Sequence, residues 1–450
     1  MRFVDLFCGI GGFHEALRAI RPDFDCVYAC DTDIHCQKVY RSNFNINAYG
    51  DIRDTKELVP DHQLLCAGFP CQPFSKSGSQ LGFLDLIRGT LFEDIMDIVR
   101  NKQPEYVLLE NVANLLSHDK GRTLKIIEGS LDNAGYKAYT QILSPHEFGV
   151  PHNRKRVFIV GINRKKVSSW SEFGWPQGTA ENEPHVNSIR DNSSSRDEDS
   201  ISKQNQEVFD HWSTFMSHLP KGVTPPTPTW SMEFGRNYPL SKIHPISRRS
   251  RAVLCEILRE YEGKIVDPKG SRKSIESRFP PYIRKMGRVM PKWKRDFIEK
   301  NRKFWRDYGK HIPEGWLEKT KSFKETHQKF EWHVGPHADR NIMSHMIHLR
   351  PSGIRVSKLN WIPSLVAIAQ IPIVGPWGRK ISPREAANAQ SFDIDFKLHE
   401  TPAVAYRQLG NSVNITVAQE VIRQILQVEA LRNPISHDSR LREHDSLEEL

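Results

Sequence analysis

The chain has 450 residues, 38% of them hydrophobic, and carries a formal net charge of +10. That apolar content is enough for a sizeable core, which excludes disorder throughout, and the length fits two or three ordinary domains. The positive balance favours a polyanionic partner, although a solvated basic surface gives the same sum, so the position of the charge matters more than its total.

Short apolar runs at 3–7, 26–29, 64–67, 106–109 and 157–161 alternate with helical patterns. This is the arrangement of a parallel sheet covered on both faces, so a doubly wound, mostly parallel α/β fold is expected. Phe13, Ala16, Leu17 and Ile20 share one helix face, and Pro22 stops that helix. The first strand runs into Cys8-Gly9-Ile10-Gly11-Gly12. Glycines there let the backbone turn tightly and approach a nucleotide-like ligand at the strand's carboxyl edge. A dinucleotide fingerprint would want another glycine where this chain has His14, so S-adenosyl-L-methionine fits better than NAD. Asp31 ends the next strand, placed to accept from ribose hydroxyls. Asp51-Ile52 offers a carboxylate for an adenine amino group beside an apolar shelf. Each of these residues alone is more often an ordinary turn or cap; three strand ends in sequence order carry more weight.

The strand at 64–67 contains Cys66, read as inert packing. It leads to Gly68-Phe69-Pro70-Cys71-Gln72-Pro73-Phe74-Ser75, where prolines stiffen a loop that displays Cys71. The strand at 106–109 ends in Glu110-Asn111-Val112, so a carboxyl group leaves the same sheet edge. A loop thiolate can add to an electron-poor ring carbon and make that ring enamine-like. An acid and an arginine, Glu110 and Arg156, would steady the charge that develops on it.

All ten tryptophans lie at position 170 or later, which marks a boundary. Residues 177–206 are polar, and 220–228 hold four prolines, so both read as loops or linkers. Residues 241–310 carry 21 Lys+Arg against 8 Asp+Glu, a net +13 that exceeds the charge of the whole chain. Phe279, Tyr282, Trp293, Phe304 and Trp305 are interleaved there, a mixture that suits phosphate contacts and stacking, or else a solvated helical surface with a few buried rings. Residues 433–450 read as a frayed charged tail. The seven cysteines form no CxxC pair and no zinc-like spacing, so reduced thiols and no metal site are expected. Met1 and Arg2 run straight into an apolar strand, and no stretch nears the roughly eighteen apolar residues of a membrane span. A soluble cytoplasmic protein without a membrane partner is expected.

These residues closely resemble the cytosine carbon-5 DNA methyltransferase family, of the bacterial restriction-modification type. Phe3-Val4-Asp5-Leu6-Phe7-Cys8-Gly9-Ile10-Gly11-Gly12 is similar to its first cofactor motif, the Cys71 loop to its nucleophile loop, and Glu110-Asn111-Val112 to its glutamate motif. Phe148-Gly149-Val150-Pro151-His152-Asn153-Arg154-Lys155-Arg156-Val157 resembles its arginine motif, with His152 where the family usually has Gln. The stretch at 379–392 is similar to the motif that organises the recognition domain, and Tyr406-Arg407-Gln408-Leu409-Gly410-Asn411-Ser412-Val413 to the final motif. The resemblance implies a catalytic site of Cys71, Glu110, Arg154 and Arg156. It implies a cofactor pocket of Phe7, Gly9, Ile10, Gly11, Gly12, Asp31, Thr32, Asp51, Ile52, Pro70, Leu91, Asn411 and Ser412, and DNA contacts from Ser75, Ser77 and Arg154. It further implies S-adenosyl-L-methionine as methyl donor, S-adenosyl-L-homocysteine as product and a flipped cytosine in duplex DNA as substrate. The expected enzyme is a monomer on DNA, with a restriction endonuclease as a separately acting companion. Residues 1–168 with 403–432 would form the catalytic domain and 169–402 a smaller, inserted target-recognition domain. A transfer-RNA methyltransferase on the same fold and a catalytically silent DNA-binding protein are the rival readings.

Overall fold

The computed structural model describes residues 1–70, 90–178, 183–191, 199–237, 240, 246, 249–262, 270–279, 281–284, 290–365 and 370–432. Its contacts divide the chain into two compact units, one of Met1–Ser195, Asn360–Ala369 and Ser382–Leu450, the other of Arg196–Leu359 and Gln370–Ile381.

The first unit is built on strands β1 (Arg2–Leu6), β2 (Asp25–Cys30), β3 (Leu64–Ala67), β4 (Tyr106–Val112), β5 (Tyr136–Leu143) and β7 (Arg156–Asn163), ordered β2-β1-β3-β4-β7-β5. The first four lie parallel, and β7 runs antiparallel to both β4 and β5. A two-residue strand, β6 (His152–Asn153), pairs separately with Ile362–Pro363.

Every residue of β3 is buried, as a central strand covered on both faces requires. On one face Val4, Leu6, Leu65, Ala67, Val107 and Leu109 pack with Ile95, Met96 and Val99 of α4 (Leu91–Lys102) and Ile126, Ile127 and Leu131 of α5 (Arg122–Asn133). The alternate residues face α1 (Gly12–Ile20) and the last helix, Ile415–Arg432, which pack on each other. Phe3 meets the ring of His14 edge-on at 5.2 Å, and Tyr106 Oη donates to Glu429 Oε2 at 2.6 Å. The observed fold is thus α/β, mostly parallel, with helices on both faces.

In the second unit, strands β8 (Thr229–Trp230), β9 (Lys329–His333), β10 (Met346–Arg350) and β11 (Gly353–Ser357) join Ile373–Val374 and Arg379–Lys380 in a mixed sheet. Its core stacks Trp212 on Phe330 with ring centroids 4.6 Å apart and gathers Phe215, Trp316, Trp332, Ile354 and Val356. Of the interleaved rings, Phe279 and Phe304 are buried in the unit's cores, as the second of the two readings has it, whereas Trp293 is 59% exposed. The helix Lys292–Tyr308 is amphipathic, so its apolar positions turn inward.

The unit boundaries differ from the expected 168/169 and 402/403. Residues 183–191 belong with the first unit because Val186 and Ile189 are buried there. Asn388 Nδ2 donates to Ile189 O at 3.0 Å, and Asp191 N donates to Glu385 Oε1 at 3.1 Å. Those bonds also hold the short helix Pro383–Ala389 in the same unit.

Candidate active site

Because β1 to β4 are parallel and in register, with Leu6 beside both Cys30 and Ala67 and Ala67 beside Leu109, their carboxyl ends open at one edge of the sheet. Ligands of open α/β sheets bind at such an edge. A cavity of about 620 Å³ lies there.

The chain leaves β1 through three left-handed residues in five, Phe7 (φ 53°), Gly9 (φ 54°) and Gly11 (φ 92°). A Cβ on Gly11 would sit 2.2 Å from the Phe44 ring, and one on Gly12 would sit 2.6 Å from Val413 Cγ1 and 2.7 Å from Ser412 Oγ. These two glycines serve close packing. Gly9 differs: nothing lies within 4 Å of its missing Cβ, so its backbone borders open space.

Asp31, just past β2, accepts from Gly9 N and from Asp33 N, each at 2.8 Å. Burial pushes its carboxyl above the usual range, although the two backbone bonds oppose that shift. Asp51 caps the short helix α3 (Ile52–Thr55) and accepts from Arg53 Nε at 2.9 Å; pairing with Arg53 lowers its pKa to about 2. Its acceptor capacity is therefore already partly engaged. Between these strand ends Asp5 Oδ2 and Gln408 Nε2 border the cavity, buried and without a hydrogen-bond partner among the described residues.

At the end of β3, Gly68, Phe69 and Pro70 line the cavity, and Asn111 Nδ2 fixes the start of this loop by donating to Phe69 O at 2.9 Å. Cys71, Ser75 and Ser77 lie outside the described residues.

Glu110, near the end of β4, is 7% exposed. Its Oε1 lies 3.0 Å from Arg156 Nε at the start of neighbouring β7. Burial raises the Glu110 pKa, while the charges of Arg156 and then Arg154 pull it back. Arg154 corrects an expectation. It is 2% exposed, and its guanidinium donates through Nη1 to Leu365 O at 3.2 Å and through Nη2 to Ser412 O at 2.8 Å, so both terminal nitrogens anchor main-chain carbonyls rather than facing a phosphate, while Nε has no partner among the described residues. Burial lowers its pKa to about 9. His152, fully buried, bonds through Nδ1 to Ala389 O at 3.1 Å and accepts from Leu365 N through Nε2 at 3.5 Å.

The cavity thus brings together Phe7, Gly9, Gly12, Asp31, Thr32, Asp51, Ile52, Pro70, Leu91, Glu110, Arg154, Arg156, Asn411 and Ser412. Ile10, expected in the cofactor pocket, is instead 1% exposed and outside the lining, and Gly11 packs on Phe44. Asp5, Asn111 and Gln408 were not singled out from sequence; Asp5 carried a signal, a carboxylate inside an otherwise apolar strand.

A glycine turn, an acid at the next strand end and a buried acid–guanidinium pair around one cavity at the sheet's carboxyl edge are the arrangement of an α/β enzyme. A family model of C-5 cytosine-specific DNA methylases matches residues 1–427, and the chain belongs to that family. The family depends on S-adenosyl-L-methionine. The chain is 30% identical to the Type II methyltransferase M.BanI of Aneurinibacillus aneurinilyticus over 95% of its own length and 96% of that protein. It is 43% identical to the Type II methyltransferase M1.ScrFI of Lactococcus lactis subsp. cremoris over 39% of this chain, and there it spans only 45% of the relative. The structure of the S. pombe Dnmt2 methyltransferase, 16% identical, overlays 95% of this chain and 98% of that one with a TM-score of 0.46.

Proposed function

We propose that the protein methylates carbon-5 of a specific cytosine in duplex DNA, with Cys71 as nucleophile, as the protective half of a restriction-modification system whose endonuclease acts separately. The observation that carries this reading is the Glu110–Arg156 pair, which shares one cavity with Gly9 and Asp31.

S-adenosyl-L-methionine, when bound, supplies an electrophilic methyl group and leaves as S-adenosyl-L-homocysteine. The cavity suits it. Asp5 Oδ2 lacks a hydrogen-bond partner among the described residues, and Asp31 retains acceptor capacity for ribose hydroxyls. Phe7, Ile52 and Leu91 offer apolar walls for the base, while Thr32, Pro70, Asn411 and Ser412 close the rim.

A cytosine must leave the duplex to reach this pocket, at a cost of a few kcal/mol. Cys71 Sγ, as the thiolate, adds to carbon-6; its electron pair forms the S–C bond, and the displaced π pair of the ring passes toward carbon-5 and nitrogen-3. Glu110, whose buried carboxyl retains a proton more readily than a free one, holds that proton at nitrogen-3, and Arg156 stabilises the ring charge. After methylation, loss of the carbon-5 proton expels the thiol and restores the aromatic ring. The second unit, with its basic segment and exposed Trp293, serves as the target-recognition domain, Ser75 contacts the DNA, and Ser77 enters it near the vacated base. The enzyme acts as a monomer in the cytoplasm; no helix of the described residues is long and apolar enough to cross a membrane.

Labelled S-adenosyl-L-methionine incubated with the protein and either duplex DNA or transfer RNA tests the reading. Label in duplex DNA, at carbon-5 of cytosine, is expected; label in RNA alone, or in neither, rejects it.

A further inference from the structure

Strands β9, β11 and β10 of the second unit bury Phe330, Trp332, Ile354, Val356 and Ile347 on one face. By the two-residue period of a strand, Lys329, Glu331, His333, Arg355, His348 and Arg350 occupy the other. Glu331 and Arg355 are direct cross-strand partners, as are Arg355 and His348. One carboxylate organises this row. Glu331 Oε2 accepts from Arg355 Nε at 3.0 Å and bonds to His333 Nε2 at 3.1 Å, while Arg355 Nη2 lies 3.0 Å from the same oxygen and Arg350 Nη2 2.7 Å from Oε1 as ion pairs. Burial works to raise the Glu331 pKa, but the bonds from His333 and Arg350 and the nearby charges outweigh it and keep the group ionised.

The two arginines differ in access. The Arg350 side chain is 16% exposed and acts as an inner brace, while that of Arg355 is 40% exposed. With Nε and one N–H of Nη2 committed to Glu331, the far end of the Arg355 guanidinium still carries parallel donors on Nη1 and Nη2. Two parallel donors on a fixed plane match the N7 and O6 acceptors of guanine in the major groove. A phosphate is the poorer fit, because Glu331 places a negative charge against the same guanidinium and cancels much of its field.

Resting on the assignment of the protein as a DNA methyltransferase, we infer that Arg355, oriented by Glu331, reads a guanine within the recognised DNA sequence. Arg355 is then a specificity-determining residue and Glu331 a positioning residue.

The test uses the full chain, S-adenosyl-L-methionine and a duplex library randomised around cytosine, with products read by bisulfite sequencing. Wild type is compared with Arg355→Ala, Arg355→Lys and Glu331→Gln, and thermal melts accompany each. Arg355→Ala is expected to lower methylation of the preferred sequence roughly 5- to 150-fold and to relax a guanine preference at one position. Arg355→Lys keeps the charge and much of the stem but not the planar fork, and is expected to relax the same position. Glu331→Gln is expected to do so more weakly. Unchanged base preference in Arg355→Ala, or an equal loss on every sequence that Arg355→Lys restores, overturns the inference and identifies a structural or phosphate-binding side chain. Wild type that methylates no duplex at all instead rejects the enzyme assignment, and this inference with it, so the two failures are distinguishable.

Discussion

Arg156 Nε lies 3.0 Å from Glu110 Oε1 where β4 and β7 adjoin, so an acid and its counter-charge enter the cavity together. Burial keeps Glu110 protonated to higher pH than a free carboxyl, and Arg156 limits the shift. If the protonated form serves nitrogen-3, turnover declines as pH rises through that raised pKa. Glu110→Gln should lower kcat by roughly 10²- to 10⁴-fold and abolish that alkaline decline, while cofactor affinity stays near wild type. Methyl-transfer rates across pH, with calorimetric binding of S-adenosyl-L-homocysteine, check both; a variant that keeps the wild-type pH profile would remove Glu110 from the chemistry.

Cys66 and Cys71 should behave oppositely. Cys66 is 0% exposed in β3, and burial pushes its thiol well above the usual range, which leaves it unreactive. Cys66→Ser should lower thermal stability through a buried hydroxyl while folded protein turns over normally. Cys71→Ser should abolish methyl transfer and spare cofactor binding. Comparable turnover by wild type and Cys71→Ser would end the covalent assignment.

What the sequence disclosed depended on range. The glycine turn and Asp31 were legible because each sits one step beyond an apolar strand, and a parallel sheet sends such steps to one edge. The Asn111 bond to Phe69 spans 42 residues of sequence and carries no periodic signal. The burial of Arg154 needs carbonyls 211 and 258 residues away, at Leu365 and Ser412, so a motif alone suggested phosphate contact. The boundary near residue 168 was misplaced because the polar run at 177–206 conceals two anchors, Val186 and Ile189.

The glycines of the turn separate packing from binding. In Gly12→Ala the new methyl group meets Val413 Cγ1, Ser412 Oγ and the Val413 carbonyl, the last at 3.2 Å on backbone that yields least. The segment carrying Asn411 and Ser412 must then shift, at about 1–3 kcal/mol. Thermal midpoint and cofactor affinity should fall together. Gly9→Ala meets no neighbour, and its positive φ costs on the order of 1 kcal/mol, so affinity should fall by more than that stability loss accounts for. Equal effects of the two variants on both measurements would refute this division.

His152 makes stability depend on pH in a definite sense. Burial, with the charge of Arg154 beside it, holds its pKa well below the ordinary value, so the folded protein keeps it neutral. The unfolded chain protonates the same ring below a pH of about 6.5, so the contribution is intact above that value and drains away as pH falls. The loss approaches roughly 1.4 kcal/mol per pH unit for this one group. His14 acts in the same sense, with a pKa lowered to about 3 by burial. Glutamine supplies a donor for Ala389 O and an acceptor for Leu365 N but does not titrate. Urea denaturation at pH 7.5 and 5.5 should therefore show His152→Gln less stable than wild type at the higher pH and closing the gap by about 1 kcal/mol at the lower. Parallel curves would mean that folding leaves the His152 pKa unshifted, which a site this enclosed, with an arginine at its side, opposes on electrostatic grounds.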